Sequence, residues 1–259
     1  MTAAHTGFAN ALSDHLTLIG RCVRLTRRNT ETLVMSIALP LLMMLLFVYV
    51  FGGAITTGTA YLDYVVPGIV LLCTGYGAAS TAMAVTNDMT TGMIDRLRTL
   101  PVRGSAVLTG HVAASVVRNA ASTTIVVSAA VALGFRPSAT VVEWLLVAGL
   151  LLLYVLALSW LAAGLGVIAK SVESASALTF VMLFLPYLSS AFVPTHTMPA
   201  FLGSISEHQP ITPVIETVRA LLTGTPVGDN GLLAVLWCTG LLAASVAFAT
   251  WLFRRRAAA

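Results

Sequence analysis

Charge is what this sequence lacks most. Asp, Glu, Lys and Arg make up 9% of the 259 residues, against 58% hydrophobic residues. A soluble domain carries about 25% charged residues, so there is too little polar surface here to cover a globule in water. The net charge of +4 does not point to nucleic acid, because the arginines cluster just outside apolar runs. Alternating polarity in segments of roughly ten residues, the mark of a membrane barrel, is also missing. What remains is an all-α integral membrane protein, since helices satisfy their own backbone groups in lipid.

Other absences narrow the chemistry. Cys22, Cys73 and Cys238 have no paired spacing, so neither a disulfide nor a metal site is expected. His5, His15, His111, His196 and His208 lack metal-ligand spacing, and Glu207-His208 is followed by no second histidine at the distance a zinc-protease helix needs. No Gly-x-Ser-x-Gly elbow occurs. "GLGVIAKS" (164–171) nearly matches a phosphate-cradling loop, but Ala169 stands where the second glycine belongs. The stretch also closes an apolar helix, so Gly164 and Gly166, with Ala162, read as helix-packing residues. No cleavable signal peptide is expected, because the first apolar run starts near Leu33, after a polar and basic leader.

What is present is a series of long apolar runs. A span needs about 20 apolar residues, and six are expected, at 33–51, 64–85, 112–133, 144–169, 174–192 and 231–253. They form a single transmembrane domain over 1–259. With the N-terminus inside, the inner segments hold Arg21, Arg24, Arg27, Arg28, Arg96, Arg98, Arg103, Lys170, Arg254, Arg255 and Arg256. The outer ones hold only Arg136 and Arg219. This bias places both termini in the cytoplasm. Arg118 falls within the third span, roughly 10 Å from its inner end at the helical rise. Snorkelling to the inner headgroups or a structural pair is the plainer expectation, and a place on a transport path the sharper one.

Three segments outside the spans carry pattern. Residues 12–28 place Leu12, Leu16, Ile19 and Val23 on one stripe of a basic helix that can lie in the membrane interface. The loop "NDMTTGMIDRLRTLPVRGSAVLTGH" (87–111) predicts a short helix with Met93, Ile94, Leu97 and Leu100 on its apolar face, Asp95, Arg96 and Arg98 off it, and Pro101 at its end. Exposed charges on such a helix suit docking to a cytoplasmic partner. The segment 193–230 predicts two short helices, the second started by Pro213 and ended by Gly224. They either dip into the outer leaflet or pack over the spans. Pro210, Pro213, Glu216 and Arg219 mark this outer lid, and Glu216 and Arg219, three apart, share a face and can pair.

Two stretches give a resemblance. "GMIDRLRTLPVRGSAVLTG" (92–110) and "QPITPVIETVRALLTG" (209–224) resemble the ABC type-2 permease family, membrane subunits similar to the daunorubicin/doxorubicin-resistance permeases of actinobacteria. Family members often have glutamate where Asp95 stands and lysine where His111 stands. The resemblance implies a subunit of an ATP-driven exporter in the bacterial inner (cytoplasmic) membrane. It would pair with a second permease copy or a sister permease. Two copies of an ATP-binding cassette subunit would dock below, on the N-terminal helix and on Gly92, Asp95, Arg96, Leu97, Arg98 and Pro101. This chain would then be no enzyme and bind no cofactor, with ATP and Mg held by the partner. Spans two and five would line the path, with Tyr76, Phe180, Phe184 and Tyr187 as its bulky residues. The expected cargo is a hydrophobic drug, antibiotic or lipid-like compound. A glycan exporter, and an ATPase-independent channel or membrane enzyme, are the alternatives.

Overall fold

The computed structural model describes the backbone of residues 17–25, 30–55, 57–93 and 104–258. Among these residues every regular element is helical. Helix α1 covers 17–25. Helix α2 (Thr30–Leu45) runs on as a π-turn over Leu46–Phe51. Then follow α3 (Tyr61–Thr90), α4 (Gly104–Ala132), α5 (Val141–Ile168), α6 (Val172–Phe184), α7 (Ala200–His208), α8 (Ile211–Thr223) and α9 (Asn230–Ala258). Five stretches are long and apolar enough to cross a membrane: Val34–Phe51, Tyr61–Thr90, Ala106–Ala132, Val141–Ile168 and Asn230–Arg256. Val172–Leu188 is apolar but shorter, 17 residues. It is an α-helix finished by a 3-10 turn over Leu185–Leu188, where Pro186 offers no N–H to continue the ladder.

Local chemistry sets these boundaries. Thr140 and Glu143 form a capping box at the start of α5: the Glu143 N–H donates to Thr140 Oγ1, and the Thr140 N–H donates to Glu143 Oε2 at 2.6 Å. Ser171 and Ser174 do the same for α6. Each cap contributes about 0.5–2 kcal/mol. Gly92 and Gly224 end α3 and α8 with φ of +70° and +68°, the left-handed conformation that glycine adopts without strain.

Helix α3 is the axis of the bundle and is buried along most of its length. Its small residues let neighbours approach closely. A methyl group at Gly68 would come within 2.6 Å of the Ala191 Cβ, one at Gly77 within 2.2 Å of Asn119 Oδ1, and one at Gly166 of α5 within 2.5 Å of the Ala82 carbonyl oxygen. One at Gly164 would meet the Phe248 ring of α9 at 2.8 Å. The glycines of "GLGVIAKS" are thus packing residues, and such contacts drive helix association in lipid.

A smaller apolar cluster joins Leu18 of α1, Val85 of α3, Leu108 and Val112 of α4, Val167 of α5 and Phe253 of α9. It places α1 and the last turns of α9 at one end of the bundle. Arg256 donates to the carbonyls of Val167 and Ala169, which close α5 at that end.

Two expectations change. The N-terminal helix is not seated by lipid alone: Leu18 and Cys22 form its buried face, and it packs on Gly110 of α4. Residues 12–16 and 26–28 of the expected helix lie outside the described residues. Arg118 does not snorkel. Helix α4 begins at Gly104, so Arg118 sits about 21 Å along it at the helical rise. Its side chain turns into the bundle, 6% exposed, and Nη2 donates to the Gly77 carbonyl (2.7 Å) and Thr81 Oγ1 (2.9 Å).

Candidate functional site

Three constellations carry polar or aromatic chemistry. The first is at the end of the bundle opposite α1. Helix α8 starts at Ile211 behind Pro210, two residues before the expected Pro213, and packs among α3, α5 and α9. Its apolar residues Ile211, Val214, Ile215, Val218, Leu221 and Leu222 are all buried. It therefore packs onto the bundle, the second of the two arrangements expected for this segment. Thr212 Oγ1 donates to the Ser206 carbonyl (2.6 Å), and Gln209 Nε2 to that of Leu188 (2.7 Å), fixing the turn between α7 and α8.

Arg219 is the centre of this end. Nη1 donates to Glu216 Oε1 at 2.5 Å, so the expected pair forms. Nε and Nη2 also donate to the Tyr64 carbonyl (3.2 and 3.1 Å), and Nη2 to that of Ser190 (2.8 Å). The guanidinium lies 3.8 Å above the Tyr64 ring centroid. Tyr64 in turn donates its hydroxyl to the Ser190 carbonyl (2.8 Å), and Tyr61 donates to that of Phe192 (3.0 Å). One arginine thus binds α8 to α3 and to the segment after α6. A polar cavity of about 620 Å³ opens beside it, lined among others by Asp63, Arg136, His196, Glu216 and Arg219.

The second constellation is aromatic. Phe180, Phe184 and Tyr187 follow one another along α6 and its 3-10 turn, with ring centroids 4.6 and 5.9 Å apart. The row continues through Phe192 (5.2 Å from Tyr187) and Phe47 (4.2 Å from Phe192) to Phe51 (5.5 Å from Phe47). Tyr76 of α3 lies close to Tyr187, so it adjoins this row. Phe180 and Phe184 are 56% and 49% exposed, whereas Tyr76 and Tyr187 are half-buried. Between Tyr64 and Asp88 the residues of α3 that are not buried are Tyr76, Ser80, Met83, Ala84 and Asn87.

The third lies at the end carrying α1 and was not foreseen. Asp88 of α3 accepts from Arg21 of α1, at 3.0 Å from Nη1, and lies 3.1 Å from Nε2 of His111 of α4. The signal was an acid closing an apolar helix between two groups of cations. In the sequence Arg21 is one basic residue of the interfacial helix and of the inner positive charge, and neither pattern marks it as the partner of Asp88. Gly92 follows the end of α3, and Asp95, Arg96, Leu97, Arg98 and Pro101 lie outside the described residues.

These helices and contacts define a polytopic α-helical membrane protein. The profile of the ABC-2 type transporter family matches residues 15–223, and the chain belongs to this family. It is similar to the "Daunorubicin resistance ABC transporter permease protein DrrB1" of Streptomyces coeruleorubidus, 29% identical over 90% of this chain and 81% of the relative. It is also similar to the "Probable doxorubicin resistance ABC transporter permease protein DrrC" of Mycobacterium tuberculosis, 25% identical over 83% and 78%. A third similar protein is the "Inner membrane transport permease YadH" of Escherichia coli, 29% identical over 72% and 75%.

Proposed function

We propose that this chain is the membrane-spanning permease subunit of an ATP-driven exporter that carries a hydrophobic drug, antibiotic or lipid-like compound out of a bacterial cell. The observation that carries this reading is family membership together with relatives named for daunorubicin and doxorubicin resistance. The chain works as a single transmembrane domain over 1–259 in the inner membrane, with both termini cytoplasmic. Val172–Leu188 makes the sixth crossing. Thirteen α-helical and four 3-10 residues reach about 28 Å, close to the roughly 30 Å of a hydrocarbon core.

Two ATP-binding subunits, which hold ATP and Mg, dock at the cytoplasmic end on Gly92, Asp95, Arg96, Leu97, Arg98 and Pro101. The face bearing Phe180 and Phe184 meets a second permease copy or a sister permease, and the compound passes between the two. The exposed rings, the unburied stripe of α3 and the exposed apolar residues of α2 support this assignment, because the described residues leave them open to a partner. Pro210, Pro213, Glu216 and Arg219 hold the outer closure in place.

The test is efflux of daunorubicin from a susceptible bacterium that expresses the permease with its ATPase. Lower intracellular drug than in a strain with an ATPase made inactive supports the reading. Equal accumulation of daunorubicin and of other hydrophobic compounds overturns it. In the same assay Asp95→Ala and Arg98→Glu are expected to leave membrane insertion intact and cut export about tenfold or more, by removing charge-assisted contacts to the ATPase. Alanine at Tyr76, Phe180, Phe184 and Tyr187, one at a time, is expected to shift the resistance spectrum differently for each. Four identical spectra would take these residues off the path.

A further inference from the structure

Helix α1 has a seat, and the seat is built around one carboxylate. Asp88 is 7% exposed, and a buried carboxylate is tolerated only where cations and donors surround it. Here Arg21 and His111 do so from two other helices. Arg21 spreads two nitrogens over both carboxylate oxygens, at 3.0 and 3.4 Å, and His111 Nε2 stands 3.1 Å from Oδ2. Below this contact the backbone of α1 comes close to α4 at Gly110, where a methyl group would lie 3.2 Å from the Leu18 carbonyl and 3.3 Å from Cys22 Sγ. Leu18 then enters the apolar cluster with Val85, Leu108 and Phe253. A push on α1 is therefore met at one point by the ends of α3 and α4 together.

We propose that Asp88 is a positioning residue that latches α1 to the cytoplasmic ends of α3 and α4, so that movement imposed on α1 by the ATPase is delivered to the second and third spans. This rests on the export reading for the source of the movement. The seat itself rests on the contacts alone.

Cys22 supplies a native probe. It is 4% exposed, and burial pushes its thiol up to about 11, with the Asp88 charge adding to the rise and Arg21 opposing it. A seated Cys22 is thus almost entirely protonated at neutral pH and slow to react. Lifting α1 exposes and activates it. Cys73 and Cys238 are buried within α3 and α9 and stay silent.

The experiment uses the permease–ATPase complex in proteoliposomes, with maleimide labelling of Cys22 and daunorubicin transported per ATP hydrolysed as its two readouts. Cys22→Ser identifies the labelled site. Asp88→Asn keeps the shape and removes the charge. Arg21→Gln removes only the α1 half of the contact and leaves Asp88 facing His111, which guards against a misfolded first variant. In both, Cys22 labelling is expected to rise about tenfold, and transport per ATP to fall several-fold with ATPase activity retained. Asp88→Glu is expected to restore both toward wild type. Unchanged labelling in Asp88→Asn and Arg21→Gln would overturn the latch. Faster labelling with wild-type transport per ATP would also overturn it, leaving a structural staple. Failure of the export reading looks different: the wild-type complex would move no compound, while Cys22 labelling would still depend on Asp88.

Discussion

Arg219→Ala is expected to lower the stability of the protein in detergent by about 2–4 kcal/mol, read as a drop in the apparent melting temperature and in membrane level. An exposed pair three residues apart on a helix is worth only about 0.2–0.5 kcal/mol. Arg219 is more than that. It supplies donors to the carbonyls of Tyr64 and Ser190 and a cation over the Tyr64 ring. Hydrogen bonds from a charged donor are worth about 1.5–3 kcal/mol each, and although the Ser190 carbonyl keeps the Tyr64 hydroxyl as a donor, the link from α8 is lost. Removing Glu216 as well should recover little, because the bonds from α8 to the Tyr64 and Ser190 carbonyls and the contact over the Tyr64 ring are lost whether or not the carboxylate remains. From the sequence, with only the Glu216 pair in view, the double variant would have been the milder one. The carbonyl contacts reverse that expectation. Wild-type melting and wild-type export in Arg219→Ala would refute the assignment.

The other large effect is expected at Gly166. A Cβ there would lie 2.5 Å from the Ala82 carbonyl oxygen and 3.0 Å from the Val85 Cβ. The Gly166 carbonyl also accepts from Thr86 Oγ1 at 2.9 Å, so α5 and α3 are held at this separation from both sides. Overpacking a core costs about 1–3 kcal/mol where side chains can yield. Here the obstacle is α3 backbone, and Gly166→Val is expected to exceed that range and abolish recovery of monodisperse protein. Gly149 sits on the same helix with nothing within 4 Å of its would-be Cβ, and Gly149→Val should behave as wild type. Equal recovery of the two variants would show that close approach of α3 and α5 does not hold the bundle.

The long apolar runs were readable because lipid imposes one requirement along a whole span, and composition records it. One cap was readable too: Gly224 stops α8 where its position in "RALLTG" suggested. The span lengths were less legible. Helix α3 extends past Val85 to Thr90 and α4 starts at Gly104, because polar residues at the ends of a helix can be covered by neighbouring helices that hydropathy does not see. Arg118 was misplaced for this reason. The Asp88 contact was hidden more deeply. Arg21, Asp88 and His111 are far apart in sequence, and nothing local marks a carboxylate that will be shared by two distant cations. The aromatic row was half visible. The resemblance named Phe180, Phe184 and Tyr187 on one span, but Phe47 and Phe192 join them only through tertiary packing.

The burial of Arg118 bears on how the chain is built into the membrane. A guanidinium near the middle of a lone segment opposes insertion by about 2.5–3.5 kcal/mol on translocon-based scales. Its helix is also the least apolar of the five long ones among the described residues. The groups that accept its hydrogen bonds, the Gly77 carbonyl and the Thr81 hydroxyl, belong to the segment synthesised just before it. The cost of placing Arg118 in lipid is therefore offset only where these two helices lie side by side.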